Sequence, residues 1–254
     1  MAVRTLPPEA AAGPLHLVRN LTNGSGETLR RPLAGAAVLL HGLGRTARSM
    51  RPLERQLNGR GYRVLNLAYP SRSTDIATLA RMVAREIGQW ESGRPLDFVT
   101  HSLGGILLRV AVASGMLPLD RVHRVVMLGP PNGGSELADR LPTVPLVGSL
   151  YRRFTGPAGR ELGTTLAGVP AQLPPVAFDL GVIAGNRSMN PFFSAILGAP
   201  NDGKVRVDRA RVDGMRDFIV VPSWHPLLMV SRVVAEQALH FLEHGSFRHP
   251  TQAR

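Results

Sequence analysis

Short apolar runs and helical periodicities alternate along most of the chain. Ala36-Ala37-Val38-Leu39-Leu40 is a continuous apolar run of strand length. Met50 to Asn58 follows with helical spacing and is stopped by Gly59 and Gly61. Tyr62 to Leu67 predicts a second strand, ended near Pro70. Thr74-Asp75 opens a helix that places Ile76, Leu79, Ala80, Val83 and Ile87 on one face. Leu96 to Thr100 predicts a strand, and Gly105 to Val112 leads a helix that runs on to Met116. Val122 to Leu128, Val176 to Ala184 and Phe218 to Val221 predict three further strands. Pro226 marks the start of a last helix, with Leu228, Val230, Val233, Val234, Leu239 and Leu242 toward the core. Strands that alternate with helices predict an α/β fold, a mainly parallel sheet with helices on both faces. The first 34 residues mix Pro, Gly and Asn and offer one early edge strand near Leu15–Val18.

Pro130 to Pro175 breaks the alternation. It is rich in Pro and Gly and too long for a simple connection. It reads as a cap or lid at about 130–175 inserted into a single domain spanning 1–254, with one or two short helices such as Ser135 to Leu141.

Composition narrows the class. A chain of 254 residues with 44% hydrophobic positions can bury a full core. Cysteine is absent, which excludes disulfides, thiolate catalysis and cysteine-based zinc sites. The formal net charge is +12, and Lys204 is the only lysine among 30 basic residues. The arginines are scattered and not interleaved with aromatics, so nucleic acid is not expected as a partner. No apolar run reaches the roughly 18–20 residues of a membrane span, and the N-terminus lacks a continuous apolar core, so the chain reads as cytoplasmic.

Candidate chemistry falls at the strand ends, where active groups of parallel sheets gather. Ser102 stands between the 96–100 strand and the following helix, in Thr100-His101-Ser102-Leu103-Gly104-Gly105. A serine on such a turn is a nucleophile elbow and needs small neighbours, which Gly104 and Gly105 supply. Thr100 stands where the usual pattern has glycine. Asp202 lies beyond the 176–184 strand and His225 just past the 218–221 strand. A serine hydroxyl needs an imidazole to take its proton and a buried carboxylate to orient the ring, so Ser102, Asp202 and His225 are the candidate triad. Asp179, Asp208, Asp213 and Asp217 are the weaker candidates for the acid. His41-Gly42-Leu43-Gly44 follows the first strand. The backbone N–H groups of Leu43 and Leu103 are the candidate oxyanion donors. His41 reads as an organiser of that loop, and His101 as a packing or hydrogen-bonding residue near the turn.

With these motifs in place the chain resembles the α/β-hydrolase superfamily, most of all bacterial lipases and esterases with an HGxG oxyanion loop. Gly129-Pro130-Pro131-Asn132-Gly133-Gly134-Ser135 is similar to the segment leading into a lipase lid, where a histidine often stands at the place of Asn132. The resemblance frames residues 36–226 and implies a sheet trimmed of its earliest strands. It implies a serine hydrolase that cleaves carboxylic esters through an acyl-enzyme on Ser102. The alternatives are an acyltransferase on the same triad, or a non-catalytic member of the fold that binds anionic surfaces. No cofactor and no metal are expected. Leu137, Leu141, Val144, Leu146, Val147, Leu150, Tyr151 and Phe154 either line an acyl pocket or cover the sheet. A small-molecule or lipid-like ester is the expected substrate, with transient contact to a lipid surface and with Arg152, Arg153 and Arg160 available to an anionic head group.

Overall fold

Six short runs rich in Val, Leu, Ile and Ala form one sheet, and the inner four are largely buried on both faces, as central strands of a parallel sheet are, while the two edge strands are only partly covered. The computed structural model describes residues 35–90 and 93–249, together with two two-residue strands, β1 (Leu21–Thr22) and β2 (Thr28–Leu29). The chain divides into two compact units, 1–33 and 34–254. In the first, β1 and β2 pair antiparallel. The expected edge strand at 15–18 lies outside the described residues.

The second unit runs β3 (Ala36–Leu40), α1 (Arg51–Gly59), β4 (Arg63–Leu67), α2 (Ile76–Gln89), β5 (Leu96–His101), α3 (Leu103–Ala113) and β6 (Val122–Leu128). It continues through α4 (Glu136–Arg140), α5 (Val147–Arg160), α6 (Val169–Gln172), β7 (Asp179–Gly185), α7 (Pro191–Leu197), β8 (Asp217–Val221) and α8 (Arg232–His244). The strand order is β4-β3-β5-β6-β7-β8, and every neighbouring pair is parallel. This is the expected parallel α/β architecture, an α/β-hydrolase fold.

Alternation along the strands builds two cores. Val38, Leu40, Phe98, Val125 and Met127 meet α2 and α3 through Ile76, Leu79, Ile106 and Leu107. Ala37, Leu39, Val99, Val126 and Leu128 meet α1 and α8 through Leu53, Leu57, Leu239 and Phe241. The helix starts follow local chemistry. The Asp75 carboxylate accepts from the Thr78 amide at 2.7 Å, and the Ser231 hydroxyl caps the Val234 amide at 3.4 Å. Among the described residues no helix is long and apolar enough to cross a membrane.

Several boundaries differ from the sequence expectation. α3 stops at Ala113 rather than Met116, because the chain turns at Gly115 with φ +72°. β7 begins at Asp179 rather than Val176, and the Val176 amide is instead drawn to the carbonyl of Asp213. Pro226 belongs to a single 3₁₀ turn, and the last helix proper begins after Ser231. Val230 and Val233, expected toward the core, are 51% and 59% exposed, while Val234 takes the inward position. Helix α7 was not anticipated, although Asn190 caps it and Pro191 occupies its first position. Between β6 and β7 the chain is more helical than one or two short helices. α5 spans 14 residues, with a kink at Gly156, where φ is +66°.

Candidate active site

The serine at the head of α3 occupies a helix N-cap, the place where a serine hydroxyl ordinarily accepts a backbone N–H. Ser102 does not. Its backbone stands at φ 52°, ψ −119°, and its side chain makes no capping bond. A positive φ is uncommon outside glycine and persists only where the surroundings hold it. Here the Ser102 amide is bonded to the Leu128 carbonyl at 2.9 Å, and α3 leaves the turn through two glycines. A Cβ on Gly104 would stand 2.6 Å from the Leu40 carbonyl oxygen. A Cβ on Gly105 would stand 3.2 Å from Thr100 Oγ1, so that glycine makes room for the threonine found in place of the usual one.

Beyond β7, the carboxylate of Asp202 is buried and fully used. Oδ1 accepts from the amides of Lys204 (2.9 Å) and Val205 (2.8 Å). Oδ2 accepts from Nδ1–H of His225 at 2.7 Å, and the His225 amide donates to the Asp202 carbonyl at 2.9 Å. With Nδ1 carrying the proton, Nε2 of His225 is the free base nitrogen. Gly129, at φ +54°, passes beside this pair, and a Cβ there would come within 3.0 Å of both Asp202 Oδ2 and His225 Nδ1.

Two further histidines hold the frame. His101 is buried, and burial lowers its pKa well below the usual value, with His225 nearby adding to the effect. Neutral His101 donates from Nε2 to the His225 carbonyl at 3.1 Å, and the two rings lie 4.7 Å apart. His41 is also buried with a lowered pKa, again chiefly from desolvation. Its Nδ1 donates to the Gly42 carbonyl at 3.0 Å, and its Nε2 accepts from the Tyr69 amide at 3.3 Å. The Tyr69 ring stacks on it at 3.9 Å, and the Tyr69 hydroxyl donates to the His41 carbonyl. The Gly44 amide is fixed on Ser71 Oγ at 3.0 Å. Among the described residues neither the Leu43 nor the Leu103 amide has a protein acceptor.

These groups surround one cavity of about 330 Å³. Ser102, His101, His225, Leu43 and Gly44 contribute to its lining, and Leu137, Ala138, Tyr151, Phe154 and Leu162 add the apolar wall. The sequence-predicted Ser102, His225 and Leu43 therefore meet there, Leu103 follows the serine, and Asp202 stands behind the imidazole. The weaker acid candidates are engaged elsewhere. Asp179 pairs with Arg216 at 2.8 Å, Asp208 with Arg206 at 2.6 Å, and Asp217 accepts from the Phe247 amide at 2.7 Å. Asp213 lies at a separate depression with Arg109 and Asn132. The rings of His240 and His244 on α8 lie tilted with centroids 4.4 Å apart, and among the described residues no group of three or more ligating side chains converges.

The apolar residues between β6 and β7 split. Leu137, Tyr151 and Phe154 face the cavity, and Leu141 packs with Leu137 and Leu197. Leu146 and Leu150 do neither and point to solvent, 92% and 55% exposed. Arg152 turns back on its own segment, donating to the Pro142 carbonyl at 2.8 Å, and none of Arg152, Arg153 and Arg160 lines the cavity.

Arg109 is the residue that sequence reasoning missed. It is buried in α3, and burial lowers its pKa to about 10. Its guanidinium donates to the Asn132 carbonyl and Oδ1 at one end of the 130–175 segment, and to the Leu173 and Pro174 carbonyls at the other. Asn132 Nδ2 in turn donates to the Ala210 carbonyl at 2.9 Å. The available signal was one arginine inside the apolar run 105–112.

Several solved structures share this fold. The chain is similar to the lipase BlEst2 of Bacillus licheniformis. Against its mature form the TM-score is 0.68 at 22% identity, covering 84% of this chain and 93% of that one. Against its propeptide form the values are 0.69 and 21%, covering 87% of this chain and 53% of that one, so the chain spans about half the length of that form. The metagenomic carboxyl esterase MGS0156 matches with a TM-score of 0.57 at 20% identity, over 76% of this chain and 65% of that one. No curated protein matches in sequence. The family model described as a domain of unknown function, DUF7379, matches residues 18–236, and the chain, an α/β hydrolase by fold, belongs to that family.

Proposed function

We propose that the chain is a serine hydrolase that cleaves carboxylic esters through an acyl-enzyme on Ser102. One observation carries the reading. A serine at a helix start is held at φ 52° with its hydroxyl released from capping, beside a cavity that also receives an imidazole fixed by a buried carboxylate.

In this mechanism His225 Nε2 takes the Ser102 proton as Oγ attacks the ester carbonyl. Asp202 keeps the imidazole in the Nδ1–H form and stabilises the imidazolium. The Leu43 and Leu103 amides hold the oxyanion, the second of them strengthened by the N-terminus of α3. His225 then gives the proton to the leaving alkoxide oxygen. A water molecule, deprotonated by the same nitrogen, attacks the acyl-enzyme and releases the acid. No step needs a metal or organic cofactor. The apolar wall suits the acyl chain of a small or lipid-like ester, and residues 130–175 form the cap over it. The HGxG loop, His41 to Gly44, is the oxyanion loop that the lipase resemblance implies. An alcohol in place of the water gives acyl transfer on the same groups.

A fluorophosphonate probe tests the reading. One equivalent should label the wild-type chain and none should label Ser102→Ala. Asp202→Asn should fold and lose about 10³–10⁴-fold in kcat on a p-nitrophenyl ester, because the ring is then held in the wrong tautomer. An unlabelled wild-type chain overturns the proposal, as does an Asp202→Asn variant with full activity. Products formed with and without an added alcohol separate hydrolysis from acyl transfer.

A further inference from the structure

Two cations reach the cavity at the strand ends without a carboxylate to meet them. Arg45 follows the oxyanion loop by one residue, and its amide closes a turn on the Gly42 carbonyl at 3.1 Å. Lys204 follows Asp202 by two residues. Its backbone is clamped from both sides, since its amide donates to Asp202 Oδ1 at 2.9 Å and its carbonyl accepts from Ser135 Oγ at 2.7 Å. Both residues line the same cavity as Ser102 and His225, and no Asp or Glu lines it. Among the described residues neither cation has an ion-pair partner, although Arg124, Arg206, Arg209 and Arg216 all do. The Lys204 ammonium rests over the Phe193 ring, 4.6 Å from its centroid. That contact supplies modest attraction and leaves the ammonium hydrogens open.

The pair is electrostatically uncomfortable. Desolvation lowers the Lys204 pKa from its ordinary value. Asp202 offsets part of that shift, and Arg45 adds to it. Asp202 gives Lys204 no direct charge partner, because its oxygens are taken by His225 and two amides. Two like charges lining one cavity, each on a backbone held in place, form a place where an anion gains from both. In a chain of net charge +12 many surface cations are unpaired by composition alone. These two differ because they converge on one cavity, and because one of them is the only lysine in the sequence.

We propose that Arg45 and Lys204 form an anion-recognition subsite, so that the ester taken by this site carries a phosphate or carboxylate group beside its apolar chain. This inference rests on the serine hydrolase reading for the word ester, and on the cavity alone for the anion. It moves the anion contact from Arg152, Arg153 and Arg160 to residues that line the cavity.

Binding can be read without turnover. Octyl phosphate and octanol share an alkyl chain and differ in charge. Calorimetric titration of the wild-type chain should show octyl phosphate binding at least tenfold more tightly, with the gap narrowing as salt rises. Arg45→Gln/Lys204→Gln should close most of that gap. Arg55→Gln/Arg232→Gln removes the same two charges from exposed positions elsewhere and should keep it. Equal binding of the two amphiphiles, or an equal loss in both double variants, overturns the subsite. Phosphatidylglycerol and phosphatidylcholine vesicles identify the source of the anion. A preference for phosphatidylglycerol that is lost in Arg45→Gln/Lys204→Gln assigns it to a lipid head group. A preference confined to octyl phosphate assigns it to a free amphiphile, and either result supports the subsite. If octyl phosphate is preferred but fluorophosphonate does not label Ser102, the subsite stands and the hydrolase reading falls. Labelling without anion preference removes the subsite alone.

Discussion

The floor of the cavity and its roof are built by different physics. The floor is the set of strand ends, where backbone groups, glycines and buried side chains leave no spare room. Ser102 keeps an unfavourable φ there because the Leu128 carbonyl and the packing of α3 on β3 hold it. Each of its imidazoles has a defined partner, as His41 has Tyr69 and Gly42, His101 has the His225 carbonyl, and His225 has Asp202. The roof is α4 and α5. Its C-terminal part is tied down, with the Ala158 amide on the Thr74 carbonyl at 3.2 Å and Glu161 Oε2 accepting from the first amide of α2 at 2.8 Å. Gly156 passes so close to the Arg72 carbonyl that no side chain fits. The part at and before the start of α5 presents Leu146 and Leu150 outward. Strain survives where the surroundings over-determine the chain, and apolar surface stays open where they do not.

The floor should break at Gly104. Its Cβ would strike the Leu40 carbonyl oxygen at 2.6 Å and Leu40 Cβ at 2.8 Å, and backbone cannot swing aside as a side chain can. Gly104→Ala should cost about 1–3 kcal/mol of stability, read from the denaturant midpoint. It should also lower activity more than the lost stability explains, because β3 leads into the loop we propose to hold the oxyanion. An alanine variant with wild-type midpoint would mean that the turn at Ser102 has slack.

The same contrast explains what the sequence made legible. The floor is written in short-range signals. Gly104 and Gly105 after Ser102, Gly42 and Gly44 after β3, and Gly129 beside His225 are all residues whose side chain would collide or whose φ is positive. Strand runs 36–40 and 122–128 were legible to the residue, because the continuous apolar stretches 36–40 and 125–128, almost wholly buried, leave no ambiguity of face. The roof is written in long-range contacts. Which of its apolar residues face the cavity depends on where α5 docks, and periodicity cannot separate Phe154, which lines the cavity, from Leu150, which does not. Arg109 was hidden for the same reason, since its partners at 132, 173 and 174 are distant in sequence. Lys204 was visible only as the single lysine among the basic residues, because its place at the cavity comes from the loop that Asp202 and Ser135 hold.

Buried neutral histidines give the floor a pH signature that the roof lacks. His41 and His101 both have pKa values lowered in the fold, chiefly by desolvation. Below about pH 6.5 the unfolded chain takes up a proton at each while the folded chain does not. The unfolded state then binds more protons, so stability rises with pH across this window and falls as pH drops below 6.5. The slope contributed by each histidine is at most about 1.4 kcal/mol per pH unit, and full stability from this source is present above the unfolded value. Denaturant midpoints at pH 7.5 and 5.5 should show the decline. His101→Asn should flatten it relative to wild type, even if that variant is less stable at every pH. An unchanged slope in His101→Asn would mean that His101 is already charged in the fold, against its place between His225, His41 and Arg45.

The smallest effect belongs to the outer face of the roof, and it decides whether that face is free. Leu146 and Leu150 are 92% and 55% exposed and touch neither the cavity nor the cluster of Leu137, Leu141 and Leu197. Removing an apolar side chain from water-exposed surface forfeits little burial, so Leu146→Ser/Leu150→Ser should change stability by less than about 0.5 kcal/mol. For a chain of this length that is a shift of about 1–2 °C in Tm. The measurement is informative because the floor has no position of comparable size and tolerance. A loss above about 1 kcal/mol would mean that these leucines are covered in solution, and the roof would then share the closed packing of the floor. A near-neutral result leaves these two leucines, close in sequence to Arg152 and Arg153, as open apolar surface.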